Sequence, residues 1–214
     1  MENAEMCLLI ASPYAAMPID LDYCRNATRG NPDGFGIAFP DASGQRVKIL
    51  KVSYASPRKQ LQLFRKLEKE RRPFIAHWRY ATHGAICHDL AHPFPLAEDS
   101  AIAHNGIMRI ETIPGESDTS TLAQYLRTIG AVSPRKAIKA IAELGADAIG
   151  GSKFAAIDAR GDIAFHNESA GIWQDGIWHS NESGMPLKWE WAEWESREIP
   201  PDFDFDNCYD CRVE

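Results

Sequence analysis

No stretch of this 214-residue chain is apolar for long enough to cross a membrane, and no charged-then-apolar signal segment opens it. Basic charge is in deficit: 23 Lys and Arg stand against 30 Asp and Glu, a net charge of −7. That balance argues against a nucleic acid or an anionic membrane as the main partner. The cysteines number five, odd and scattered, and make no disulfide framework. Cys208-x-x-Cys211 is a lone pair in an acidic tail, without the second pair that a zinc site needs. A metal centre elsewhere would need His77, His83, His88, His92 and His104 to converge. No spacing such as His-Glu-x-x-His marks one, and no metal is assigned. The expected setting is the cytoplasm.

What is present suits one sizeable core, with 44% hydrophobic and 25% charged residues. The most informative stretch is residues 74–84, Phe-Ile-Ala-His-Trp-Arg-Tyr-Ala-Thr-His-Gly. Its first half reads as a buried strand leading into a turn. Strand alternation puts Ile75, His77 and Arg79 on one face and Phe74, Ala76, Trp78 and Tyr80 on the other. A guanidinium on a buried face keeps its proton, so it meets either an internal carboxylate or a wet cavity where a ligand supplies one.

Apolar runs predict further strands at residues 7–10, 35–39, 47–52, 153–159, 163–167, 171–173 and 176–180. Leu61, Phe64 and Leu67 recur at helical spacing within 57–71, giving an amphipathic helix. Other helices are expected near 21–24 and over 122–129 and 134–144. Residues 101–108 read as strand, Asn105-Gly106 turn, and second strand, since Asn-Gly between apolar runs is a strong hairpin signal. Ser117-Asp118 precedes a helix and suits an N-cap. Cys7, ahead of Leu-Leu-Ile10, is by default a small buried hydrophobe. The expected organisation is one domain over residues 7–185, followed by an acidic, Trp-rich tail at 186–214 with Trp189, Trp191 and Trp194.

Six blocks in order carry a more specific signal: Met6-Cys7, Arg29-Gly30-x-x-Asp33-Gly34-x-Gly36, His77-Trp-Arg79-Tyr-Ala-Thr82-His83-Gly84, Ala91-His92-Pro93-Phe94, His104-Asn105-Gly106 and Ser117-Asp118-Thr119. Together they resemble the class II glutamine amidotransferases, the N-terminal-nucleophile glutaminases, over roughly residues 6–120. The resemblance implies an α+β fold, a four-layer αββα sandwich of the N-terminal-nucleophile hydrolase type. It implies that Cys7 attacks the side-chain amide of glutamine and that its own α-amino group is the general base. An α-amine with a pKa near about 8 is close to poised for that role, whereas an amide nitrogen has no such basicity.

The resemblance further implies that Asn105 and the Gly106 N–H hold the oxyanion, that Arg79 takes the α-carboxylate of glutamine and that Asp118 takes its ammonium. Thr82 and His83 would line the pocket, Tyr80 would wall it, and Arg29 would shape it. No metal or organic cofactor is needed. As written, however, Cys7 is internal. Translation from Met6 with that Met trimmed, cleavage of residues 1–6, or a catalytically silent relative serving as a binding module each answer this difficulty, and the first is preferred. A synthase domain has no room here, so the expected partner is a separate ammonia-acceptor enzyme. A hydrolase of γ-glutamyl amides or peptides is the alternative enzyme.

Overall fold

Strand alternation sorts side chains into two faces, and here both faces of the central strands are buried. Along Phe74–Trp78, Phe74, Ala76 and Trp78 pack with residues of two helices, while Ile75 packs toward a second sheet. The computed structural model describes residues 7–13, 19–53, 56–81 and 87–185. Among these, a six-stranded antiparallel sheet has the order β3-β2-β4-β1-β10-β9. It is built from β1 (Leu8–Ser12), β2 (Phe35–Pro40), β3 (Val47–Val52), β4 (Phe74–Trp78), β9 (Ile172–Gln174) and β10 (Ile177–His179). The second sheet, β5-β6-β7-β8, joins Phe94–Ala97, Ser100–Asn105, Lys153–Asp158 and Ile163–His166, also antiparallel.

Three apolar layers separate four structural ones. Helices α1 (Leu21–Gly30) and α2 (Pro57–Lys69) cover the first sheet, burying Cys24, Ala27, Leu61, Phe64 and Leu67 against Phe35, Phe74 and Trp78. The sheets meet through small residues: Ala11, Ala38, Ala101, Ala103 and Ala155, with Leu9, Ile75, Ile157 and Trp178. Alanines at that seam let the two sheets approach closely. Helices α3 (Asp118–Thr128) and α4 (Pro134–Glu143) cover the second sheet with Leu122, Ala123, Leu126, Ala137 and Ile141. A short α5 (Ala146–Ile149) leads into β7. The sandwich is therefore αββα, as the resemblance implied. No helix among the described residues is long and apolar enough to cross a membrane.

Local chemistry sets the helix starts. Asp20 caps α1 by accepting from the Tyr23 N–H at 2.7 Å, and Ser117 caps α3 by accepting from the Ser120 N–H at 3.1 Å. The single turn of helix expected near Leu21 extends to Gly30, because Tyr23, Cys24 and Ala27 all find buried neighbours. Gly36 in β2 permits a close approach: a Cβ there would stand 1.9 Å from the His92 carbonyl oxygen.

Candidate active site

The site begins at the end of β1. β1 lies between β4 and β10, with Leu8 paired to Trp78, so Cys7 stands beside the point where the chain leaves β4. There the Cys7 Sγ donates to the Tyr80 carbonyl at 3.4 Å and accepts from the Tyr80 N–H at 3.3 Å. The Cys7 carbonyl accepts from the Asn181 Nδ2 at 2.8 Å and from the Asn105 Nδ2 at 3.3 Å. Asn105 also donates to the Ser180 Oγ at 2.7 Å, an oxygen that accepts from the Leu9 N–H at 2.9 Å. Cys7 has a φ of +65°, a region costly for a side-chain-bearing residue.

Three charges act on the thiol. Burial comes first and raises its pKa to about 11; the Tyr80 backbone and Arg79 pull it down, while Asp118 and Asp33 push it up. Arg79 is buried, only 5% exposed. Asp33 accepts from the Ala81 N–H at 2.7 Å, and its own N–H donates to the Arg79 carbonyl at 3.0 Å. Asp118, in the first turn of α3, accepts from the N–H groups of Met108 at 3.0 Å and Thr119 at 2.7 Å. Ser117, not Asp118, is the cap, which leaves this carboxylate turned toward the 106–108 segment.

The hairpin expected at Asn105-Gly106 does not form. β6 ends at Asn105, pairs with β5 and β7, and continues into a loop. The backbone bonds of that loop go elsewhere: Met108 N–H to Asp118, and Arg109 N–H to the Ala148 carbonyl at 2.7 Å. Gly106 has a φ of +143°, and a Cβ on it would meet the Ser152 Oγ at 2.6 Å, so only glycine fits.

Residues 7–127 match the family model of the class II glutamine amidotransferases. This chain belongs to that family. A glutamine–fructose-6-phosphate aminotransferase (isomerizing) of Pseudomonas syringae pv. tomato is 40% identical over 58 residues, 27% of this chain but 8% of that protein. Among solved structures, the glutamine phosphoribosylpyrophosphate amidotransferase of B. subtilis superposes with a TM-score of 0.52 at 16% identity. A structure described as the allosteric regulatory enzyme of purine biosynthesis gives 0.52 at 17%. Each comparison covers 83% of this chain and 42% of the other. The chain thus spans less than half the length of these relatives, and at such identity the superpositions speak for the fold alone.

Within this amidotransferase domain, Cys7, Asn105 and the Tyr80 backbone are in direct contact, and Arg79 and Asp118 lie in electrostatic reach of the thiol. Tyr80 is 47% exposed, and it meets Cys7 through its backbone. Arg29 is exposed in the last turn of α1, where its charge suits the helix C-terminus. Thr82 and His83 lie outside the described residues, as do Cys208, Cys211 and the tail from 186. Sequence reasoning missed Ser180, Asn181 and Ser183, and quoted Asp33 without giving it a part. The Cys7–Asn181 contact spans 174 positions, and no local pattern announces it.

Of the histidines considered as metal ligands, His77, His92 and His104 cluster; His83 and the His88 side chain lie outside what the structure describes. The His77 and His92 ring centroids lie 4.2 Å apart and those of His92 and His104 6.2 Å apart. Burial pushes the His77 pKa down to about 3 and the His104 pKa to about 4, and lowers that of His92 strongly. These rings are neutral at physiological pH. His104 Nδ1 pairs with the Thr119 hydroxyl at 2.9 Å, while among the described residues both His77 nitrogens, His92 Nδ1 and His104 Nε2 make no hydrogen bond of good geometry. The His104 backbone lies close enough to His77 and His92 to act on them electrostatically. Among the described residues, no three His, Cys, Asp or Glu side chains are grouped so as to hold a metal ion.

Proposed function

We propose that this chain is a glutaminase: it hydrolyses the side-chain amide of glutamine to glutamate and ammonia, and delivers the ammonia to a separate acceptor enzyme in the cytoplasm. The observation that carries the reading is the meeting of Cys7, the first residue of the family match, with Asn105 and with the opposite charges of Arg79 and Asp118.

With its pKa raised to about 11, the Cys7 thiol is almost wholly protonated at neutral pH and needs a base. The peptide nitrogen of an internal Cys7 cannot serve, so the working enzyme begins at Cys7, after loss of residues 1–6. That loss also removes the cost of φ +65°, an angle defined only while a residue precedes Cys7. The freed α-amine takes the thiol proton as sulfur bonds to the amide carbon. Asn105 and the Gly106 N–H hold the resulting oxyanion, each such donor being worth about 3 kcal/mol. The ammonium then returns its proton to the leaving nitrogen, which departs as ammonia and leaves a thioester. Water, deprotonated by the same amine, attacks the thioester and releases glutamate and the thiol. Arg79 clasps the substrate α-carboxylate and Asp118 its ammonium, with Thr82 and His83 completing the pocket.

The test compares the full chain starting at Cys7 with the 214-residue chain. Glutamate release from glutamine is expected from the first and not from the second. Preferred turnover of γ-glutamyl peptides would transfer the reading to a peptide hydrolase. Inactivity of both forms on either substrate would make the chain a silent binding module.

A further inference from the structure

An N-terminal nucleophile has an anchoring problem that an internal residue lacks. No chain precedes it, its nitrogen must stay free to move protons, and its side chain must reach substrate. The carbonyl is the one backbone group left by which it can be held. In this chain that carbonyl receives two side-chain amides, and the shorter bond comes from Asn181, at 2.8 Å, not from Asn105, at 3.3 Å. We infer that Asn181 is a positioning residue for the nucleophile, holding the Cys7 carbonyl so that one N–H of Asn105 is released for the oxyanion.

Asn181 is built for this. It is 4% exposed, and its Oδ1 accepts from the Ser183 N–H at 3.1 Å and the Ser183 hydroxyl at 2.8 Å. Two donors on the oxygen fix which way the amide faces, so its NH₂ must point at Cys7. The turn carrying it is pinned from both sides. The Ser180 N–H donates to the Leu9 carbonyl at 2.8 Å, and His179 Nδ1 pairs with the Tyr23 hydroxyl at 2.8 Å.

The Asn105 NH₂ has only two hydrogens, and one is committed to the Ser180 Oγ. Were Asn105 the sole partner of the Cys7 carbonyl, turning its other hydrogen toward an oxyanion would strand a partly buried acceptor. With Asn181 in place, the carbonyl stays satisfied throughout the reaction. Asn181 lies beyond the residues that match the family model. The inference deepens the glutaminase reading and rests on it for its kinetic half.

The experiment uses the full chain starting at Cys7, with Asn181→Ala, Asn181→Asp and Ser183→Ala. For Asn181→Ala, kcat on glutamine is expected to fall about 30-fold, within the range for a misplaced reacting group, while KM stays within about threefold because the Arg79 and Asp118 clasp is untouched. Alkylation of Cys7 by iodoacetamide, located by peptide mass spectrometry, should slow about tenfold. Asn181→Asp should move the acid limb of kcat/KM to higher pH, since a carboxylate beside the terminal ammonium retains its proton. Ser183→Ala, which leaves the Ser183 N–H in place, should lower kcat about threefold. It also carries the test if the Asn181 variants do not fold.

Unchanged alkylation with an unchanged kcat, or a loss confined to KM, would overturn the inference. A parent chain that releases no glutamate would sink the glutaminase reading instead, and the alkylation rates would still decide the role of Asn181.

Discussion

Two polar clusters are buried in this sandwich, and they are finished differently. Around Cys7, the Asn105, Ser180 and Asn181 side chains all bond to the backbone of Cys7 or Leu9 or to one another. Around His92, four ring nitrogens of three histidines make no well-formed hydrogen bond among the described residues. The first cluster fixes the direction of a thiol and a carbonyl, where an error of about 1 Å can cost about a hundredfold in rate. The second holds rings that burial keeps neutral, packed on one another and tied to α3 through His104 and Thr119. Buried polarity alone therefore does not mark the working end of the molecule. In the glutaminase reading, satisfied polarity converging on one residue does.

The largest effect should separate the clusters by activity. Cys7→Ala is expected to reduce glutamate release at least about a thousandfold, whereas His77→Leu should change kcat less than about threefold. Both are read by a coupled glutamate assay on chains starting at Cys7. A histidine variant as damaging as Cys7→Ala would break the contrast.

Acid should separate them by stability. An unfolded histidine titrates near about 6.5, while burial holds folded His77 at about 3 and His104 at about 4. The unfolded chain then binds more protons between those values. Stability is complete above about pH 6.5 and drains away as pH falls toward 4, by about 3 kcal/mol for His104 alone. Urea midpoints at pH 7 and 4.5 read this directly. His77→Leu removes one of the buried rings that must take up a proton on unfolding, so it should make the acid dependence shallower. An unaltered pH slope in that variant would remove His77 from the account.

A smaller effect tests the clasp. Arg79→Lys keeps the charge and loses the planar fork, so KM for glutamine should rise about 30-fold, the scale of a charged hydrogen bond, with kcat reduced less. An unchanged KM would assign Arg79 to internal pairing, the bland alternative for a guanidinium on a buried strand face.

How far these clusters could be foreseen follows from the range of the contacts involved. The αββα layers were legible because period-two and period-3.6 patterns are local: Phe74 and Trp78 against Leu61, Phe64 and Leu67 needed no distant information. The Asn105-Gly106 turn was misjudged as a hairpin because dipeptide preference competes with distant acceptors, here Asp118 and Ala148, that take the loop's N–H groups. Cys7, Arg79, Asn105 and Asp118 could be nominated by motif. The Asn181 contact is set by β10 pairing beside β1, a topological fact that single-sequence periodicity does not encode.

The smallest effect probes what joins the Cys7 cluster to the helical layer. Tyr23 on α1 and His179 on β10 share a buried hydrogen bond of 2.8 Å, immediately before Ser180 and Asn181. Tyr23 also packs its ring 6.1 Å from Trp78, so Tyr23→Phe keeps the apolar contact and deletes only the hydroxyl. A stranded His179 nitrogen should cost about 1–2 kcal/mol, read as a lower urea midpoint with an unchanged slope. Because the Asn181 amide is oriented by Ser183 and not by this bond, kcat should fall less than about threefold. A loss of activity larger than the loss of stability can explain would mean that α1, not the turn itself, sets the position of the nucleophile's anchor.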